Sequence, residues 1–290
     1  MISNKNGNKY TKKLLKWNHL ALNGGSTKGI SQVGALCYLD DNNLLDIKEY
    51  AGTSVGSVIA TFHCAGFSGY DVWSFLQEID IQKLFKPDML SLIGKYGMDN
   101  GLSMELVIDN ALEIKYGKKN MKFIELFNIT NKLLIITATN LTQKKLEIYS
   151  VNTTPNMIIS KAVRRSCGIP IMFEPIIDEK GNTIIDGGFM NNFPVDLLPK
   201  NNTLGIKIEP VLTTKYQNPE EYFFALLNLC QHCVMLRETG NDIDVLNISF
   251  QEIVNSFDFS LNSETKQKMF DLGYKRAKSY HMSILETFND

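Results

Sequence analysis

The feature that most constrains this chain is a passage it makes twice: a short apolar run ends in small residues, and these open a helix. Trp17–Leu22 is apolar enough for a buried strand. It leads into Asn23-Gly24-Gly25-Ser26-Thr27-Lys28-Gly29, after which residues 30–45 carry Val33, Leu36, Cys37 and Leu44 at helical spacing. Residues 47–51 then run into Gly52-Thr53-Ser54-Val55-Gly56, and 54–65 read as a helix of small and apolar residues. Strand, helix, strand and helix in succession make a parallel sheet the natural core.

The rest of the chain extends this pattern. Residues 71–84 and 103–112 read as amphipathic helices. Between them, 85–94 mixes Pro, Gly and apolar residues, which suits either a mobile cover or core packing. Strands at 133–138 and 146–149, joined by the polar turn 142–145, form a hairpin, and a helix over 156–165 follows Pro155. A strand at 183–185 ends in Asp186. Further strands fall at 204–208 and 245–248, with helices at 219–237 and 264–286. The expected fold is a three-layer α/β/α sandwich with a mainly parallel central sheet. It comprises a lysine-dotted tail (1–16), a core (17–208) and C-terminal helices and a strand (209–290) completing the same domain.

Composition removes several function classes. The 290 residues suffice for one large domain. Thirty basic against 31 acidic residues give a net charge of −1, without the basic excess of a nucleic-acid binder. No apolar run reaches the ~18 residues of a membrane span, and residues 1–16 lack the apolar core of a secretory signal. Five cysteines, an odd number in mostly apolar surroundings, read as reduced thiols. The expected location is therefore intracellular and cytoplasmic, peripheral to membranes at most. Lys5, Lys9, Lys12, Lys13 and Lys16 suit an anionic surface, although a solvated tail is the plainer reading. Cys230-Gln231-His232-Cys233 has a metal-ligand spacing but no second pair. On a helix its thiols share an apolar face with Leu226 and Leu229, so core packing is expected there. No calcium loop is present in the sequence, and no metal or other cofactor is expected.

The chemistry lies in three loops. Gly52-Thr53-Ser54-Val55-Gly56 is a G-x-S-x-G between a strand and a helix, where a serine at a sharp turn is exposed and its neighbours must lack bulk. The plainer alternative is Ser54 as an N-cap. Only about two strands precede Ser54, fewer than in an α/β-hydrolase. His19, His63, His232 and His281 all fall inside strands or helices, so a base other than histidine is expected. The glycines of 23–29 let backbone N–H groups turn inward beside a helix start, which suits a phosphate or an oxyanion. The order Ser-Thr-Lys-Gly excludes a Walker A loop. The base candidate is Asp186, at the end of an apolar strand before Gly187-Gly188; its alternative is an ordinary Asp-Gly turn. Burial beside an acyl chain would raise its pKa and make it a better base.

Together these pieces resemble the patatin-like phospholipase family over roughly residues 17–207. The resemblance rests on 23–29, on Gly52 to Gly56, and on Asp186-Gly187-Gly188 with the following Asn191-Asn192-Phe193-Pro194. It also rests on the supporting segment 162–173 and on Tyr96-Gly97-Met98-Asp99-Asn100-Gly101. It implies a Ser54–Asp186 dyad that forms an acyl-enzyme on lipid esters. The backbone amides of Gly24, Gly25 and Ser26 would hold the oxyanion, with Lys28, Gly29, Gly52, Gly56, Gly187 and Gly188 in support. The implied partner is a lipid or phospholipid at a membrane or micelle surface; any protein activator is unknown. The alternative is a catalytically silent lipid-binding or scaffolding protein with the same fold. One departure stands out: Ser26 replaces the family's third glycine, which matters if that position needs a positive φ.

Overall fold

The computed structural model describes residues 16–210, 216–238, 243–250 and 261–287. The chain enters through β1 (Trp17–Leu22) and α1 (Gly29–Asp41), then β2 (Leu45–Thr53) and α2 (Val55–Cys64). A helical stretch follows: α3 (Gly69–Glu78), α4 (Met89–Lys95), the short β3 (Gly97–Asp99), α5 (Leu102–Tyr116) and α6 (Phe123–Thr130). β4 (Leu133–Asn140), β5 (Lys145–Tyr149), α7 (Ile159–Ser166), β6 (Ile171–Phe173), β7 (Ile176–Ile177) and β8 (Thr183–Asp186) come next. The described chain ends with β9 (Thr203–Ile208), α8 (Pro219–Glu238), β10 (Asp244–Ile248) and α9 (Ser263–Glu286).

The main sheet has the order β10-β9-β1-β2-β4-β8-β7, with β5 also on β4. β10, β9, β1, β2 and β4 pair in parallel; β5 and β8 run antiparallel to β4. The architecture is thus α/β with a mixed, mainly parallel sheet flanked by helices. Alternation along the strands builds two cores. Leu20, Leu22, Tyr50, Leu134 and Ile136 face the large core that holds α1, α2 and α9 residues. Ala21, Ala51 and Ile135 face a smaller one closed by Phe193, Val195, Leu198 and Met235.

Several boundaries differ from the sequence reading. α1 stops at Asp41, because Asn43 takes a left-handed φ of 53° and turns the chain into β2. α6 and the short strands β3, β6 and β7 are additional elements. Residues 89–95 form α4, none of whose side chains is buried, so core packing does not account for them. On α8, Cys230 and Cys233 are exposed, as are Leu226 and Leu229; the expected core packing of that face is not found. The proposed basic tail lies outside the described residues, apart from Lys16.

The register of β4 decides where the chemistry sits. β5 occupies one side of residues 136–140 throughout. On the other side, β2 pairs as far as Thr53 opposite Thr137, and β8 arrives from the opposite direction to end with Asp186 opposite Ala138. The two strands therefore abut end to end on the same edge of β4. That arrangement brings the residue after Thr53 next to Asp186.

Candidate active site

Ser54 occupies the turn between β2 and α2 with φ 54° and ψ −129°. This is a costly conformation for a residue with a Cβ, and it survives only where the surroundings impose it. Two close approaches impose it here. A Cβ on Gly56 would lie 2.3 Å from the Leu22 carbonyl oxygen, and one on Gly52 would lie 2.6 Å from that of Gly56. Both positions exclude side chains because α2 starts hard against the ends of β1 and β2. The Ser54 amide donates to Ser166 Oγ at 2.8 Å, and Ser57 Oγ–H donates to the Ser54 carbonyl. The Thr53 hydroxyl bonds the Thr137 hydroxyl at 2.6 Å and donates to the Asn191 carbonyl. The turn is thus tied to α7, to β4 and to the loop after Asp186.

Asp186 is completely buried. Its Oδ1 accepts the Gly188 N–H at 2.8 Å, and its own N–H donates to the Gly168 carbonyl. Oδ2 is buried without a hydrogen-bond partner. Burial pushes the carboxyl up to about 6, against the opposing pull of the Gly188 amide and of the neighbouring Ser54 hydroxyl. That hydroxyl favours the charged form without closing a full bond to Oδ2; such bonds are often long until substrate is bound. Gly187 fits because the Thr137 carbonyl leaves no room for a Cβ, and Gly188 packs against Asn192 and Gln231. Cys167 lies beside both dyad candidates, and burial, then the Asp186 charge, pushes its thiol up to about 12. It is a neutral packing group there, not a nucleophile.

The glycine-rich loop leaves β1 beside this turn, since Leu22 pairs with Gly52 in register. Asn23 fixes its base by exchanging two bonds with Ile208 of β9, and Gln32 of α1 donates to the Asn23 side chain. Gly24 packs on the Ser54 Cβ, but its N–H donates to the Asn192 carbonyl at 3.1 Å. The amides of Gly25 and Ser26 make no hydrogen bond to described residues. Ser26 sits at φ 51°, so the third position of the loop does require the left-handed region. Gly29 lies against the Val55 side chain. Lys28 is buried, its ammonium 5.5 Å from the Phe250 ring, and burial pulls it down to about 8.

Two cavities meet at this point. A small, half-polar one, about 20 Å³, is bounded by Gly25, Lys28, Asn192, Asn228 and Gln231 together with Ile208 and Met235. An apolar one, about 180 Å³, runs between α2, α3 and α5. Ser26, Ser54 and Ile169 line both. The structure therefore brings Ser54, Asp186 and the glycine loop together. It adds Asn192, Ser166, Cys167 and the α8 amides. Asn192, Ser166 and Cys167 stand in segments the sequence reading had singled out, but only the structure reveals their contacts. Three of the four histidines lie elsewhere: His63 bonds Tyr50 and Asp40, His19 pairs with Glu49, and His281 bonds Tyr38. Among the described residues no three His, Cys, Asp or Glu side chains gather as a metal site, and no helix is long and apolar enough to cross a membrane.

The chain is similar to known proteins over most of its length. The model of the family described as patatin-like phospholipase matches residues 20–199. An uncharacterized protein of Acanthamoeba polyphaga mimivirus is 32% identical over 289 residues, covering 92% of this chain and 94% of that protein. A probable lipid hydrolase of Invertebrate iridescent virus 6 is 29% identical, covering 82% of this chain and 85% of its own. The crystal structure of VipD from Legionella pneumophila shares the fold with a TM-score of 0.67 at 17% identity. The match covers 92% of this chain and 67% of that one.

Proposed function

Since the chain belongs to the patatin-like phospholipase family, a family of acyl-ester hydrolases, we propose that it is a serine lipid acyl hydrolase of the phospholipase A or lysophospholipase type. One observation carries the reading: the strained Ser54 stands where a half-polar and an apolar cavity join, next to a buried carboxylate with one free oxygen. An ester fits that junction, with its acyl chain in the apolar cavity and its carbonyl oxygen toward the small cavity beside the glycine loop.

In the proposed reaction Ser54 Oγ attacks the ester carbonyl while Asp186 Oδ2 takes the hydroxyl proton. The carbonyl oxygen becomes an oxyanion, held by the free amides of Gly25 and Ser26; Gly24, its own N–H committed to Asn192, keeps the loop in place. The α1 N-terminus and the Lys28 cation add positive potential. Collapse expels the alcohol, which leaves with the proton from Asp186, and the acyl group stays on Ser54. Asp186 then deprotonates a water, which attacks the acyl-enzyme; as the fatty acid leaves, Asp186 returns that proton to Ser54 Oγ and the free enzyme is restored. A carboxyl at about 6 is a stronger base than an exposed aspartate yet remains mostly ionised at neutral pH.

The test is fatty-acid release from nitrophenyl esters and mixed phospholipid vesicles by the wild type, Ser54→Ala and Asp186→Ala. Release by the wild type that disappears in both variants supports the dyad. Release retained in either variant rejects it, and no release by the wild type favours the silent lipid binder.

A further inference from the structure

The apolar cavity is built from three helix faces. α2 supplies Val55, Val58, Ile59 and Phe62; α3 supplies Val72, Phe75 and Leu76, with Ile79 just past its end; α5 supplies Met104, Val107 and Ile108. Each set follows the i, i+3, i+4 spacing of one helical stripe. On α5 the stripe does not stop there. Val107, Asn110, Ala111 and Ile114 line a second cavity of about 270 Å³, whose mouth is marked by the exposed Asp71 and by Ile114 at 85% exposure. From Met104 to Ile114 the two cavities follow α5 for roughly 15 Å.

Phe62, Val72, Phe75 and Val107 line both cavities. The Phe62 ring lies 6.2 Å from that of Phe75 and 5.6 Å from that of Phe67, so aromatic packing holds it in the middle of this partition. The first cavity starts at Ser54 and is separated by these four side chains from the second, which lies behind them.

We infer that Phe62, Val72, Phe75 and Val107 form a ruler that sets the length of acyl chain accepted at Ser54, with the second cavity as the space a longer chain would need. The inference rests on the reading of Ser54 as the group that receives the acyl chain. Size supports it. A 150 Å³ protein cavity admits a benzene ring, so 180 Å³ in front of the wall holds a tail of roughly six to eight carbons. Only the two cavities joined would hold a palmitoyl chain. Phe75 is partly exposed and Phe62 is buried, so truncating Phe75 opens the wall at the lower structural cost.

Two readouts separate this claim from the hydrolase reading. Rates on nitrophenyl butyrate, octanoate and palmitate are measured for the wild type, Phe75→Ala and Val107→Trp. Affinities for octanoic and palmitic acid are measured by calorimetry in the Ser54→Ala background, where no turnover is needed. Phe75→Ala is expected to raise the palmitate-to-octanoate ratio about tenfold or more in both readouts, and Val107→Trp to shift preference toward butyrate. Thermal melts show whether each variant is folded, and since they push in opposite directions, either folded variant suffices to decide. Matching shifts in affinity without turnover by the wild type would uphold the ruler and sink the hydrolase reading. Unaltered ratios in a folded variant would overturn the ruler, whatever the turnover.

Discussion

Replacing Asp186 with asparagine is expected to abolish turnover and yet stabilise the fold at neutral pH. Burial raises the carboxyl from 3.8 to about 6. The folded state therefore holds the proton more tightly than the unfolded chain does. Below pH 3.8 both states carry a neutral acid and no penalty exists; the penalty grows as pH rises through the window and is complete above pH 6. At ~1.4 kcal/mol per pH unit, the ionised group costs about 3 kcal/mol. Asparagine keeps the Oδ1 acceptor for the Gly188 N–H and carries no charge to desolvate. Asp186→Asn should thus gain up to ~3 kcal/mol at pH 8, a rise in melting temperature of at most roughly 5 °C, and little or nothing at pH 3.5. Urea unfolding of both proteins at several pH values measures this directly. A stability difference independent of pH, or one that favours the wild type at pH 8, would refute the argument that Asp186 is a desolvated carboxylate.

Three further outcomes follow from the same contacts. The rate constant kcat/KM should fall about tenfold per unit as pH drops below about 6, where Asp186 is protonated; a flat profile from pH 7 to 5 would exclude it as the base. Ser26→Gly removes a non-glycine residue from φ 51°, a relief of about 1–2 kcal/mol offset by glycine's ~0.5–1 kcal/mol of chain entropy. Its melting temperature should hold or rise slightly while ester turnover is kept, and a loss of turnover would mean that the Ser26 side chain itself takes part. Arg164→Leu leaves the carbonyls of Asn100 and Glu174 without the donors that reach them at 2.9 and 2.7 Å, so denaturant unfolding should show a loss of about 2–4 kcal/mol. An unchanged midpoint would show that this buried arginine does not clamp β3 to the segment after β6.

The parts of the molecule that the sequence revealed are those where one residue's chemistry leaves few options. Gly52 and Gly56 flank Ser54 because backbone atoms fill the space a Cβ would take, and such glycines are visible in a one-dimensional pattern. The place of Asp186 at the end of a strand is legible from the apolar run before it and the glycines after it. What stayed hidden depends on pairing and on faces. Nothing local tells that β8 runs antiparallel and meets β2 head on along β4. The commitment of the Gly24 amide to Asn192 joins residues 168 positions apart. The buried face of α8 is hard to read because its own apolar residues are spread round the helix, while two of its polar residues, Asn228 and Gln231, line the small cavity. Phe224, Leu227 and Met235 take the buried face instead, leaving Leu226, Leu229 and both cysteines outside. α6 is short and the strands β3, β6 and β7 have two or three residues each, too few to set up a period.

The most direct test of the central claim is to treat the protein with a fluorophosphonate and read the site of modification by peptide mass spectrometry. The account predicts one adduct, on Ser54, absent in Ser54→Ala and much slower to form in Asp186→Asn. An adduct on another residue, or none on a folded protein that binds fatty acid, would contradict it.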